Sequence, residues 1–391
     1  MQTWLWRSAA SKLPSRLATC IPRHSRLFTT HTHDEVHVRC GSAGFVTVDL
    51  INLNHHSPSA PLFVYFPPVP PRPTEHIPLP DVLQPWPVAV IRYRWSNTQD
   101  DTNSQVSLRW PTPVHDTGFA FSWLQEALAP DSLKRRDIYV YGSHLGASLA
   151  TSLGLTEAHA HAKFGVRGVI AYNGVYNWTM FLPDHRINKA TSKTKKPSLP
   201  PPRPPEGSHL YNLQESLPDL FATPGQMFDP FASPSLFFHG PGLLIPKSFI
   251  ISSDDAADLN TLLSGQYAMR MKAPRRSHLV FPPRKSTLKI PNTLLLHDTP
   301  NLVTEKLAKR SVRRGNSFET QAEELAEMMR RSVDKVELKM RSQWDLEMDG
   351  LEDEAERRVR IVDVGEEKPG WEMGDVAEKV VRDWLDEKLP S

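Results

Sequence analysis

Apolar positions follow two rhythms along the chain, and their order predicts a layered fold. Phe45 to Leu53 alternates apolar with polar residues, the period of a strand with one solvated face. Leu62 to Phe66 and Val88 to Tyr93 are short, continuous apolar runs, as in strands covered on both faces. Val166 to Tyr172, Thr293 to His297 and Val359 to Val364 repeat that pattern. Between them the spacing changes to that of helices. Asp116 to Leu128 is one helix and Leu145 to Ala158 another. Phe318 to Val336 sets Phe318, Ala322, Leu325, Ala326, Met329 and Val333 on one face. Met373 to Lys388 does the same with Met373, Val376, Ala377, Val380, Val381, Trp384 and Leu385. Strands alternating with helices predict an α/β fold, a mostly parallel sheet flanked by helices.

One junction carries more information than the rest. The apolar run Ile138 to Tyr141 passes into its helix through Gly142-Ser143-His144-Leu145-Gly146. Glycines two residues before and after a central residue suit a sharp, strained strand-to-helix turn, where larger side chains would collide. The junction resembles the nucleophile elbow of the α/β-hydrolase family, Gly-x-Ser-x-Gly, with His144 at the centre. The resemblance extends from about residue 36 to the end. It implies an α/β-hydrolase-like sheet interrupted by a Pro-rich, lid-like insertion at about 183–284, where Leu236 to Ile245 is apolar enough to pack over the sheet top. Charges dominate from Glu337 to Arg358, which reads as part of a charged helical excursion at about 304–358.

For activity the resemblance implies acyl transfer, which needs a nucleophile, an orienting acid, a late histidine base and paired backbone donors for an oxyanion. His144 holds the nucleophile position and cannot form the usual acyl-enzyme. Ser143, one step earlier on the turn, is expected to point away from the pocket and bond local backbone. Asp298 ends a strand near the family's acid position, and Asp254 and Asp255 are further candidates; all three read as solvated loop carboxylates or helix caps. No histidine follows the last strand, because His297 is the last in the chain. The loop that would supply an oxyanion donor reads Pro67-Pro68-Val69-Pro70-Pro71, where Val69 alone has an N–H. Losing one such donor costs about 10²–10³ in rate. The catalytic positions His144, Ser143 and Asp298 are therefore expected to be non-functional, leaving a binding or scaffolding role. The alternative is an active esterase, thioesterase or lipase-like hydrolase, in which His144 serves as base and Asp298 or Asp254 orients it.

Composition narrows the partners. A formal charge of +2 over 391 residues gives no field to recruit nucleic acid. No apolar run reaches the roughly 20 residues of a transmembrane helix. No glycine-rich phosphate loop or dinucleotide fingerprint implies a cofactor. His31, His33 and His37, the pair His55 and His56, and His159 with His161 have spacings a metal could use, but lack cysteine or carboxylate companions, so no metal is expected. The 36 prolines cluster, most densely at Pro197 to Pro205. Residues 1–33 are serine-rich and basic, with Arg7, Lys12, Arg16, Arg23 and Arg26 all preceding the first acid, Asp34. That predicts a mitochondrial targeting segment at 1–33, with a matrix address, ahead of one domain at 34–391. The expected partner is a mitochondrial protein or a small acyl-type ligand.

Overall fold

The computed structural model describes residues 33–41, 44–72, 75–96, 108–130, 134–188, 204–243, 278–300, 315–338 and 353–389. Eight strands form one sheet: β1 (His33–Arg39), β2 (Phe45–Ile51), β3 (Leu62–Phe66), β4 (Val88–Arg92), β5 (Arg136–Ser143), β6 (Phe164–Tyr172), β7 (Asn292–Thr299) and β8 (Val359–Glu366). Their spatial order is β1-β2-β4-β3-β5-β6-β7-β8. β2 runs antiparallel to β1 and β4, and the pairs from β4 through β8 are parallel. The helices are α1 (Thr112–Leu128), α2 (Leu145–Glu157), α3 (His209–Glu215), α4 (Leu217–Leu220), α5 (Phe318–Ser332), α6 (Glu354–Arg358) and α7 (Asp375–Lys388).

Both sheet faces are covered, which explains the unbroken apolar runs. Leu62, Val64 and Phe66 face a core shared with α1, α2 and α5, whose Phe121, Leu149 and Leu325 are buried there. Phe63 and Tyr65 of the same strand face the second core with Tyr139, Tyr141 and Tyr172. Helix α7 closes that side through Ala377, Val381, Trp384 and Leu385; the Trp384 ring meets Tyr139 edge-on at 6.3 Å. Ser317 caps α5, accepting from the Thr320 N–H at 3.1 Å, while the Thr320 hydroxyl oxygen accepts from the Ser317 N–H at 2.9 Å.

Several boundaries differ from the sequence reading. Strand β1 lies ahead of the expected first strand and pairs with it in register, Val36 against Val48. Helix α1 begins at Thr112 rather than Asp116, and α5 ends at Ser332, passing into a wider π turn over Val333–Leu338. Val376 is exposed, because the buried stripe of α7 is narrow and Val376 lies about 100° around the helix from Ala377. Part of the insertion packs into the core. Leu236 and Phe238 are buried, and the Leu220 carbonyl accepts from the Trp95 indole and the Trp110 amide, each at 2.9 Å. Residues 1–32, the proline run at 197–203 and Asp254 and Asp255 lie outside the described residues.

Candidate functional site

Strand β5 ends at Ser143 and α2 begins at Leu145, so His144 alone makes the turn. Its φ of 50° and ψ of −110° lie in a region that L-residues seldom adopt. The surroundings hold it there: its N–H donates to the Tyr172 carbonyl at 2.9 Å. A side chain on Gly142 would run into the Gly146 backbone, and one on Gly146 would run into the backbone of Phe66 and Pro67. The small residues on either side of the apex are thus required by close approach of strand and helix.

The apex imidazole is sealed. His144 has no solvent exposure, and four aromatic or imidazole rings meet it edge-on. Trp371, from the loop after β8, has its centroid at 4.6 Å, His209 of α3 at 5.0 Å, Tyr172 of β6 at 5.6 Å and Phe318 of α5 at 5.8 Å. Trp371 also stacks on His209 at 4.4 Å, so one indole covers both imidazoles.

Hydrogen bonds link the pair to a carboxylate. His144 Nε2 lies 3.2 Å from His209 Nδ1, which in turn lies 3.1 Å from Glu367 Oε1. The same carboxylate oxygen accepts from the His209 backbone N–H at 2.5 Å. Glu367 is itself tied down, its N–H donating to the Thr299 carbonyl at 2.9 Å. The other ring nitrogen of His209, Nε2, lies 3.5 Å from the Pro369 carbonyl, so the ring is held from both ends. The Nδ1 of His144 is buried without a hydrogen-bond partner among the described residues. Burial, and then the neighbouring His209, hold the His144 imidazole well below the usual histidine range, so it stays neutral.

The backbone at the apex is engaged as well. In an elbow of this kind, one oxyanion donor is the N–H of the residue after the apex. Here that N–H belongs to Leu145 and donates to the Pro68 carbonyl at 3.1 Å. The proline loop is pinned from the other side, since the Tyr93 hydroxyl donates to the Pro67 carbonyl at 2.9 Å. A carbonyl oxygen thus occupies the position in which a developing oxyanion would be bound.

The residues singled out from sequence fall in different places. Ser143 turns to the opposite side of the strand end from His144. It lines a cavity of about 740 Å³ together with Tyr65, Tyr141, Pro68 and Trp371. The reason is the pleat: Tyr139 and Tyr141 point to the α7 face, and Ser143 continues that alternation. Asp298 is not a solvated loop carboxylate, because β7 continues through it to Thr299 and buries it. Its Oδ2 accepts from the Tyr172 hydroxyl at 2.6 Å and from the Asn173 amide at 3.2 Å. Burial raises the Asp298 carboxyl above its usual range, and these two hydrogen bonds oppose the rise. His297 is buried in β7. No group of three or more metal-ligating side chains occurs among the described residues; His37 bonds Thr47 and His159 bonds Thr287 instead. His209, which contacts the apex, and Glu367, which contacts His209, carry no mark of their own in the sequence.

Neither a family model nor a curated protein matches the sequence. Among solved structures, carboxyl esterase 2 from the fungus Tuber melanosporum overlaps with a TM-score of 0.47 at 13% identity, covering 93% of this chain and 87% of that one. A hyperthermophilic esterase from the archaeon Pyrobaculum calidifontis gives 0.47 at 11% identity over 91% and 82% of the two chains. The esterase LipW from Mycobacterium marinum gives 0.41 at 13% over 92% and 80%. Overlaps this loose carry no argument about activity. Architecture is fixed instead by the strand order, the antiparallel β2 next to the edge strand β1 and the strained turn from β5 into α2. The chain has the α/β-hydrolase fold, with an imidazole at the apex of its elbow.

Proposed function

We propose that this chain is a mitochondrial protein that uses the α/β-hydrolase fold for binding or scaffolding and performs no serine-type hydrolysis. One observation carries the reading: the Leu145 N–H is spent on Pro68, directly beside an apex that holds a sealed, neutral imidazole. An acyl-enzyme route needs an exposed nucleophile and an empty oxyanion hole together. A fluorophosphonate probe, which labels activated serines, tests the reading. No labelling above that of denatured protein is expected; stoichiometric labelling of Ser143 would refute it. The mitochondrial part rests on the basic character of residues 1–33. A fusion of residues 1–35 to a fluorescent reporter is expected to enter mitochondria, and a diffuse cytosolic signal would remove that part. Among the described residues no helix is long and apolar enough to cross a membrane.

A second reading keeps activity as an esterase, thioesterase or lipase-like hydrolase. The chain Glu367–His209–His144 has the order of carboxylate, imidazole and apex residue, and it would make His144 the attacking group. That reading requires Trp371 and Phe318 to move aside and Pro68 to release Leu145. Widening the site by Trp371→Ala should then raise turnover of short esters. An unchanged background rate in a folded Trp371→Ala protein removes this reading.

A further inference from the structure

The cavity beside Ser143 is distinct from the imidazole pair, and Trp371 stands between them, bordering the cavity and covering His144 and His209. Its volume of about 740 Å³ falls within the range of small-molecule sites. Apolar wall comes largely from prolines of the 67–80 segment, and phenols come from Tyr65 and Tyr141, whose rings lie 5.4 Å apart. Tyr65 is 97% buried within this lining (3% exposed), and its hydroxyl has no hydrogen-bond partner among the described residues. A phenol held in this wall without a protein partner is available to a group that enters the cavity.

Every formally charged side chain of the lining is acidic: Glu75, Asp81, Glu372 and Glu378. Arg382 offsets Glu378 at 2.9 Å. Glu75, Asp81 and Glu372 have no ion-pair partner among the described residues; Asp81 accepts from the Gln84 amide at 2.6 Å and Glu75 from the Arg72 N–H at 3.1 Å. The Glu378 carboxyl is held above its usual range, first by burial and next by the negative charge of Asp81, so the carboxylates repel one another across the mouth. Burial and then the Glu372 charge also hold the Tyr65 phenol up, which places its oxygen within the field of that carboxylate. Aromatic faces beside unpaired carboxylates attract a positive group with an apolar body.

We propose that this cavity binds an organic cation, an ammonium group carried on an apolar or aromatic body, with Glu372 and Asp81 facing the charge and the Tyr65 and Tyr141 phenols and Trp371 facing the body. The site rests on the non-hydrolytic reading only in that the ligand is held rather than cleaved.

The test is calorimetric titration of the full chain with phenethylamine near neutral pH, against neutral 2-phenylethanol and anionic 3-phenylpropionate. The amine should bind at least about tenfold tighter than the alcohol, since charge-assisted contacts contribute about 1.5–3 kcal/mol. The anion should not bind. Glu372→Gln, an exposed substitution that leaves the core alone, should weaken the amine about threefold to tenfold and leave the alcohol unchanged. Tyr65→Phe should weaken both. Equal affinity for amine and alcohol, a preference for the anion, or no binding of any probe overturns the proposal. An acetyl ester of an amino alcohol separates the two claims. If it binds and is hydrolysed, the non-hydrolytic reading falls while the cation site stands; if it does not bind, the cation site falls while that reading is untouched.

Discussion

The two sides of the β5 terminus end in opposite states. On one side His144 is packed among Trp371, Tyr172, Phe318 and His209, has no exposure and bonds through His209 to Glu367. On the other side Ser143, a single residue earlier, borders an open cavity with phenols on its floor and acids at its mouth. A one-residue step reverses the direction of the side chain, so a buried imidazole and a pocket-lining hydroxyl share one strand end. The usual chemistry of the fold needs a nucleophile at the apex and an open space above it. Here the open space and the apex residue lie on different sides.

The largest expected effect comes from breaking the turn both sides share. Gly146→Val would drive a side chain into the backbone of Phe66 and Pro67, which cannot move away as a flexible side chain can. A loss of about 3 kcal/mol in denaturant unfolding is expected, with both sides disrupted. Loss of Glu367 should act on the sealed side alone. In Glu367→Ala the His209 backbone N–H loses its acceptor and the ring its neighbouring carboxylate, at a cost of about 1–3 kcal/mol, and amide exchange should quicken in α3 before it does in β5.

The sealed side should also show itself in pH dependence. The folded state holds His144 well below its ordinary value of 6.5, so on acidification the unfolded chain takes up that proton first. Stability is therefore complete above 6.5 and falls below it, by up to about 1.4 kcal/mol per pH unit from this group. His144→Asn, which tolerates the positive φ and does not titrate, should flatten the profile between pH of about 6.5 and 5. A profile unchanged in the variant would mean that the apex imidazole is not sealed. The smallest effect belongs to the cavity side. Tyr65→Phe removes a hydroxyl with no partner, so stability should change by less than about 0.5 kcal/mol in the same unfolding measurement.

The scaffold could be read from the chain because its signals are local. Apolar runs such as Leu62 to Phe66 report burial on both faces, and the Gly142 and Gly146 spacing reports the crowding of the turn. The site could not be read in the same way, because its partners come from afar. His209 lies 65 residues from His144, just past a proline run, and nothing beside it marks more than a short capped helix. Glu367 stands in a loop notable in sequence for lacking a histidine, and its role appears only when that loop folds back over α3. Asp298 reads as solvated if the strand ends at His297, but β7 runs on to Thr299 and carries it inside, where Tyr172 and Asn173 hold it. The proline loop is poor in donors by its chemistry, yet its carbonyls matter more, since Pro68 accepts the N–H that hydrolysis would need.

Turnover of short p-nitrophenyl esters by the purified full chain tests the central claim most directly. The account predicts a rate equal to the buffer background and identical in wild type and His144→Ala. A rate well above background that disappears on His144→Ala would contradict it.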